Sequence, residues 1–301
     1  LHRKENSITA RVPGEIIQVF STNEIIDDDP YIDAKTPYLS VWLDSEIGIS
    51  TGKYRSISEI KDAINIRNNK LNASANIFGT LADAYIAIQA GISWNLIYEP
   101  KFNRVVSTVG RLWNKEYGGY CLFGWDNFFL AYVSSLFNQD LAFSNIIDHL
   151  HGKTKDGFIP NDNRGNGSKS YDRSQPPVGS IMVKEIYKNN PNRWFLEEVF
   201  QDLLDWNRWW NNSRNNEGLL SYGSSLPDQN PYNEPVFGTK TAAGYESGMD
   251  DSPMYEGVPY NIEKHTLELQ DVGLNSLYIA DCKALAEIAE ILGFKNERSE
   301  L

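Results

Sequence analysis

The chain has 301 residues, 41% of them hydrophobic, and carries a formal net charge of -12. That length exceeds what one hydrophobic core fills and predicts one large domain with part of another. The acidic balance argues against nucleic acid and anionic membrane as partners, because both require a basic footprint to release counterions or engage lipid head groups, and no apolar run reaches the roughly 20 residues of a membrane span.

Residues 1–56 alternate short β-type runs with turn residues, at 8–12, 15–21 and 38–43, with a charged, proline-ended turn at 27–30. They read as the end of a β-rich domain. At Ser56 the pattern changes: Ser56-Ile57-Ser58-Glu59 has capping-box spacing, and Ile60, Ala63 and Ile64 follow at helical intervals. Further helices are predicted over 75–90, 125–138, 141–149, 177–187 with proline in its first turn, 191–212 and 270–292, and no further strand is expected. The connections 94–124, 152–174 and 216–248 are long, and loops of that length usually carry function. Helices joined alternately by short and long connections suggest a helical toroid with its long loops at one mouth.

Cys121 and Cys282 are too few and too distant for a disulfide framework or a zinc site. The four histidines read as surface residues, and His149 and His151, at i and i+2, fall on different sides of a helix. No P-loop, dinucleotide glycine pattern or nucleophile elbow occurs, so neither a cofactor nor a metal is expected. Aromatic residues make up 12%, with eight tryptophans, which serves sugar stacking and core volume equally well.

Three polar clusters fall where long loops meet helices. The first is Gly124-Trp125-Asp126, where an indole could stack on a sugar ring beside a carboxylate that accepts from hydroxyls, or Asp126 could simply cap its helix while Trp125 packs. The second joins Ile159-Pro160-Asn161 to Arg173-Ser174-Gln175-Pro176-Pro177. Asn161 and Arg173 offer the donors and acceptor that sugar hydroxyls require, or form a polar turn with a solvated arginine. The segment 162–173 fails as a calcium loop, because Arg164 and Arg173 stand where oxygen ligands are needed. The third, running from Gly244 through Tyr245, Glu246, Asp250 and Asp251 to Tyr255, places three carboxylates together. Glu246 and Asp250 would share a face if the segment is helical, and if all three carboxylates are buried together, at least one stays protonated near neutral pH. Such a group can protonate a glycosidic oxygen; alternatively, the acids sit at a helix N-terminus.

Taken in order, Gly124-Trp125-Asp126, Ile159-Pro160-Asn161, Arg173 through Pro177, and Glu246-Ser247-Gly248-Met249-Asp250 resemble glycoside hydrolase family 63, the processing α-glucosidases and their bacterial relatives, including mannosylglycerate hydrolases. Trehalases of family 37 share several of these motifs. The stretches 90–100 and 267–282 are similar too, so the resemblance covers nearly everything from residue 75 onward. It implies a mainly α fold, in which 1–56 end a β-sandwich and 57–301 form the first part of an (α/α)6 barrel. It also implies an inverting hydrolase of α-glucosidic linkages, with Asp250 as general acid and a sugar subsite of Trp125, Asp126, Asn161 and Arg173 flanked by Tyr245 and Glu246. The alternatives are a trehalase-like or mannosylglycerate-type hydrolase, with the choice expected in loop 216–244, or a noncatalytic carbohydrate-binding scaffold.

About seven of the twelve barrel helices can be counted against that template, and the family's general base lies beyond Leu301. Glu297 and Glu300 match no motif for that role. A chain that begins with Leu1 and stops just after an amphipathic helix is expected to be a piece of a longer protein, inactive alone. Its first residues resemble neither a signal nor a transit peptide, and the sequons at Asn72, Asn166 and Asn211 are too common by chance to imply secretion, which favours the cytoplasm. Nothing in the sequence sets an oligomeric state.

Overall fold

The computed structural model describes residues 2–4, 6–12, 14–26, 40–99, 102–109, 118–228, 230 and 234–301. The chain divides into two compact units, one of residues 1–90 and 100–103, the other of residues 91–99 and 104–301.

In the first unit, β1 (His2–Lys4), β2 (Ser7–Val12), β3 (Glu15–Ser21) and β4 (Ile49–Thr51) form an antiparallel sheet in sequence order. Gly14, at φ +81°, occupies the left-handed conformation that turns β2 into β3. The predicted strand at 38–43 does not form in its described part, where Ser40 makes only an isolated bridge to Ile26. The predicted turn at 27–30 lies outside the described residues.

Helix α1 (Ile57–Asn76) opens on the expected capping box: the Ser56 hydroxyl accepts from the Glu59 amide at 3.3 Å, and the Glu59 carboxylate accepts from the Ser56 amide at 2.8 Å. The next helix departs from expectation. α1 continues to Asn76, a 3-10 turn follows at Gly79–Leu81, and α2 (Ala82–Trp94) begins only then. Gly79 at φ +57° adopts the left-handed conformation between the two helices.

The second unit is mainly helical. Its long helices are α3 (Gly124–Ser135), α4 (Gln139–Leu150), α5 (Gly179–Asn189), α6 (Arg193–Arg214) and α8 (Val272–Leu292), with shorter α7 (Lys240–Glu246) and α9 (Lys295–Glu300). Asn138 caps α4, Asp271 caps α8, and Gly293 at φ +87° ends α8. α5 starts after Pro176-Pro177, so the prolines lie ahead of its first turn, contrary to expectation. Strands do return, as four short antiparallel pairs: β5 (Leu96–Glu99) with β6 (Arg104–Ser107), β7 (Cys121–Phe123) with β8 (Asp162–Arg164), β9 (Asn215–Asn216) with β10 (Leu219–Leu220), and β11 (Tyr260–Asn261) with β12 (Thr266–Leu267). They stiffen the ends of the long loops.

Packing follows a regular order. α3 lies against α5 and α5 against α8, while α4 lies against α6; α3 also packs on α4, α6 on α8, and α9 on α8. Apart from short α7, successive helices thus alternate between two layers. The core between them is rich in aromatic residues. Phe128 of α3 stacks on Trp206 of α6 with centroids 5.5 Å apart, and Phe143 of α4 on Phe195 of α6 at 4.1 Å. Trp206, Trp209 and Trp210 of α6 are all buried and supply core volume, whereas Trp94 and Trp194 are exposed. His149, expected at the surface, is buried edge-on to Phe128, and burial pushes its pKa down to about 4, keeping the ring neutral; His151 is exposed.

Three helices meet at Asp281 of α8, which is 1% exposed. Its carboxylate accepts from the Ser180 amide at the start of α5 (2.8 Å) and from the Asn207 side chain of α6 (3.0 Å). Burial pushes its pKa up to about 6, against the opposing effect of these hydrogen bonds. Because the folded value exceeds the unfolded one, the folded state still holds a proton that the unfolded state has lost. This contribution to stability is therefore greatest below about pH 4 and falls as pH rises to about 6. Denaturation of Asp281→Asn and the parent at pH 4 and pH 7 is expected to show their stability difference moving by about 2–3 kcal/mol against the parent; a constant difference would contradict it.

Candidate active site

The N-terminus of α3 is built from distant pieces of chain. Its first amides would be orphaned; instead the Gly124 amide donates to the Asn161 carbonyl at 3.0 Å and the Trp125 amide to the Gln175 side chain at 3.0 Å. No side chain at the N-cap position closes the helix, so Asp126 does not act as the cap. A Cβ on Gly124 would meet Gln175 at 2.7 Å, so only glycine admits this approach. Asn127 locks the entry, accepting from the Phe123 amide (2.9 Å) and donating to the Ser107 carbonyl (3.0 Å). The Asp126 carboxyl is half-buried and its pKa is raised by burial, offset by its own backbone amide and the neighbouring Trp125.

The second cluster joins the third. Asn161 donates its amide to the Arg173 carbonyl at 3.1 Å and its side chain to the Tyr245 carbonyl at 3.2 Å. Arg173 is 5% exposed. Its guanidinium donates to Asp172 at 2.8 Å, lies 3.6 Å from the Asp162 carboxylate, and sits 5.2 Å from the centre of the Tyr245 ring. Its Nε–H is buried with no hydrogen-bond partner among the described residues. Asp172 is wholly buried and also accepts from the Ser224 hydroxyl; burial raises its pKa, and Arg173 pulls it back. Asp162, the first residue of the failed calcium loop, is taken up by Arg164 and Arg173, and no cluster of metal-binding side chains occurs among the described residues.

The acidic trio is not buried together. α7 ends at Glu246, and Gly248, at φ +68°, turns the chain out of the helix. Glu246 is therefore fully buried, whereas Asp250 and Asp251 lie exposed in the following turn. They sit beyond the C-terminus of α7, which removes the shared helical face, and just ahead of a 3-10 turn at Pro253–Tyr255 capped by Ser252. Glu246 pairs with Arg214, at 2.6 Å to Nε and 2.9 Å to Nη2, and accepts the amides of Ser174 (3.0 Å) and Gly223 (2.6 Å). Its oxygens are thus engaged by protein. Arg214 belongs to none of the sequence motifs; its one local signal is its place at i+4 from Trp210 on the buried stripe of α6.

Gly248 also touches the first cluster, since a Cβ there would stand 2.6 Å from the Trp125 indole. Gly248→Ala is expected to cost about 1–2 kcal/mol for the left-handed backbone alone and to displace the indole, read as lower thermal stability with altered tryptophan fluorescence. Gly244→Ala, with open space and ordinary helical backbone, is the control expected to leave the fluorescence unchanged and the stability no lower.

Residues 124–125, 161, 173–175 and 245–248, separated by up to 124 positions, are thus directly bonded or in contact with one another, with Asp250 two residues past the last of them. They line neither of two concavities of the second unit, one of about 290 Å³ beside Asn216, Lys264 and Gln270, the other of about 630 Å³ beside Asn207, Tyr278 and Cys282. A family model described as the mannosylglycerate hydrolase MGH1-like glycoside hydrolase domain matches residues 119–301.

The chain belongs to this glycoside hydrolase family.

The MGH1-like match covers all of the motif segments. Among solved structures, an uncharacterised conserved protein from Thermus thermophilus is similar at 19% identity and TM-score 0.46, over 57% of this chain and 51% of that one. The family 63 mannosylglycerate hydrolase of the same organism is similar in its complex with glucose (19% identity, TM-score 0.44, 57% and 52% coverage) and with Tris (18%, 0.43, 56% and 53%). The chain spans about half the length of these structures.

Proposed function

We propose that this chain is part of an inverting glycoside hydrolase acting on α-glucosidic linkages of an oligosaccharide or glucosyl conjugate, with Asp250 as general acid. The observation that carries the reading is the convergence of the four motif segments on one locus through backbone and side-chain hydrogen bonds. In this reading Trp125 offers a face for sugar stacking, while Asp126, Asn161 and Arg173 hydrogen-bond sugar hydroxyls. Tyr245 holds the Arg173 plane. Glu246 is set apart from the sugar contacts by its burial.

An inverting enzyme needs a second carboxylate roughly 6.5–9.5 Å from the acid, with a water between. We assign that base to residues outside this chain; Glu300 is bound to Arg208, which lowers its pKa. The alternation of helices α3 to α8 between two layers, with two of the motif segments at the N-terminal ends of α3 and α5, supports the reading of an (α/α)6 barrel, which we extend over 57–301. Residues 1–56 would then end a β-sandwich.

A second reading, a mannosylglycerate-type hydrolase on the same scaffold, is favoured by the family match. The test is a panel of α-linked disaccharides, trehalose and hexosyl-glycerates offered to the whole enzyme, with the anomer of the released sugar followed by NMR. Release of the β-anomer from one of these is expected. Release with retained configuration would refute the mechanism, and binding without turnover would leave a carbohydrate-binding scaffold.

A further inference from the structure

The Arg214–Glu246 pair has no part in sugar contact or proton transfer, yet it is the most heavily bonded polar group at the locus. Besides the four N–H donors on the carboxylate, the guanidinium donates from Nη2 to the Asp172 carbonyl (3.0 Å) and from Nη1 to the Ser225 hydroxyl (2.9 Å), and packs 4.7 Å over Trp209. The backbone on both sides of Arg173 is therefore gripped, residue 172 by Arg214 and residue 174 by Glu246. The glutamate is also the last residue of α7. From it hangs the turn bearing Asp250, closed by the Gly248 amide on the Tyr245 carbonyl (3.1 Å), the Ser247 hydroxyl on the Gly244 carbonyl (2.6 Å) and the Met249 amide on the Ser247 hydroxyl (3.0 Å).

A buried ion pair adds little net stability over a well-packed apolar substitute, because desolvating both charges offsets their attraction. What a two-pronged guanidinium–carboxylate contact supplies is fixed distance and angle. We infer that Arg214 and Glu246 are positioning residues that hold the Asp250 turn in register with Arg173, and that neither touches the sugar. The inference rests on Asp250 being the general acid.

The test compares, in the whole enzyme, hydrolysis of the glycoside found by the panel with that of the corresponding glycosyl fluoride. Fluoride leaves without a proton, so its departure does not depend on where the acid sits. Glu246→Gln keeps the side chain's size but turns an acceptor into a donor facing Arg214 and the Gly223 amide. It is expected to lower kcat on the glycoside by roughly 10²-fold, the scale of an ångström-sized misplacement, with a much smaller change in KM and in turnover of the fluoride. Arg214→Lys keeps the charge and loses the fork; the same pattern is expected, weaker. Equal losses on both substrates, or no loss on either, would overturn the inference, as would failure of both variants to fold, which would mark the pair as a requirement of the fold only. Asp250→Asn measured alongside separates the two ideas. If it hydrolyses the glycoside normally, the acid assignment fails; if it loses the glycoside and keeps the fluoride while Glu246→Gln behaves as parent, only the positioning role fails.

Discussion

Asp250→Asn in the whole enzyme is expected to lose hydrolysis of an unactivated glycoside while still binding it. Asparagine preserves size and hydrogen-bonding capacity but has no proton to give, and a positioned general acid contributes about 10²–10⁴-fold. The side chain is suited to meeting a ligand: it is exposed, and among the described residues no hydrogen bond engages its carboxylate. Asp251, equally exposed one residue on, is the matched control. Asp251→Asn is expected to retain near-parent turnover, since only one of two adjacent turn residues can face a given glycosidic oxygen. Sugar affinity by calorimetry and kcat on the same preparation provide the check. Near-normal kcat in Asp250→Asn would remove it from the role, and equal losses in both variants would point to the charge of the turn instead of one proton.

The helices were legible because their signals are local. The Ser56–Glu59 box and the apolar spacing of α6 and α8 each act within a turn or two of where they are written. The gap between α1 and α2 was misplaced because it turns on one left-handed backbone position at Gly79, which apolar periodicity does not mark. Strands of two to four residues are too short to display alternation, and seven-residue α7 is too short to display a helical stripe. Both were invisible for the same reason.

The locus was legible as motifs but not as geometry. Adjacency in sequence suggested that Glu246, Asp250 and Asp251 share one environment; Gly248 divides them, sending one carboxylate into the core and two into solvent. That division separates two kinds of role that composition alone merges. A buried glutamate satisfied by a guanidinium and two amides acts through what it holds in place, while an exposed aspartate is free to meet a substrate. Arg214 could only be suspected from the end of an aromatic stripe, because its partners lie 32 positions onward at Glu246 and 42 back at Asp172.

Trp206→Ala is the largest stability loss expected in the second unit. The indole is 1% exposed, stacks on Phe128 within 13° of parallel, and donates from Nε1 to the Ser174 hydroxyl at 2.8 Å. Gly179 at the start of α5 lies so near that a Cβ there would stand 2.7 Å from the ring. Removal opens a cavity between α3, α5 and α6 that rigid aromatic neighbours cannot close, at a cost of about 3–5 kcal/mol. Against a total stability of about 5–15 kcal/mol for a folded domain, that moves a urea midpoint far at unchanged m-value. Trp206→Phe keeps a ring on Phe128 and gives up the hydrogen bond and some volume, for which about 1–2 kcal/mol is expected. The residual effect of the phenylalanine variant has a further consequence. Ser174 is held on its other side by its own donation to the Ile159 carbonyl at 2.6 Å and by its amide on Glu246, so losing the indole partner loosens one of three anchors next to Arg173. A phenylalanine variant that is nearly as stable as the parent yet binds sugar more weakly would identify Trp206 as the point where the helical core fixes the backbone beside Arg173; unchanged affinity would confine it to packing.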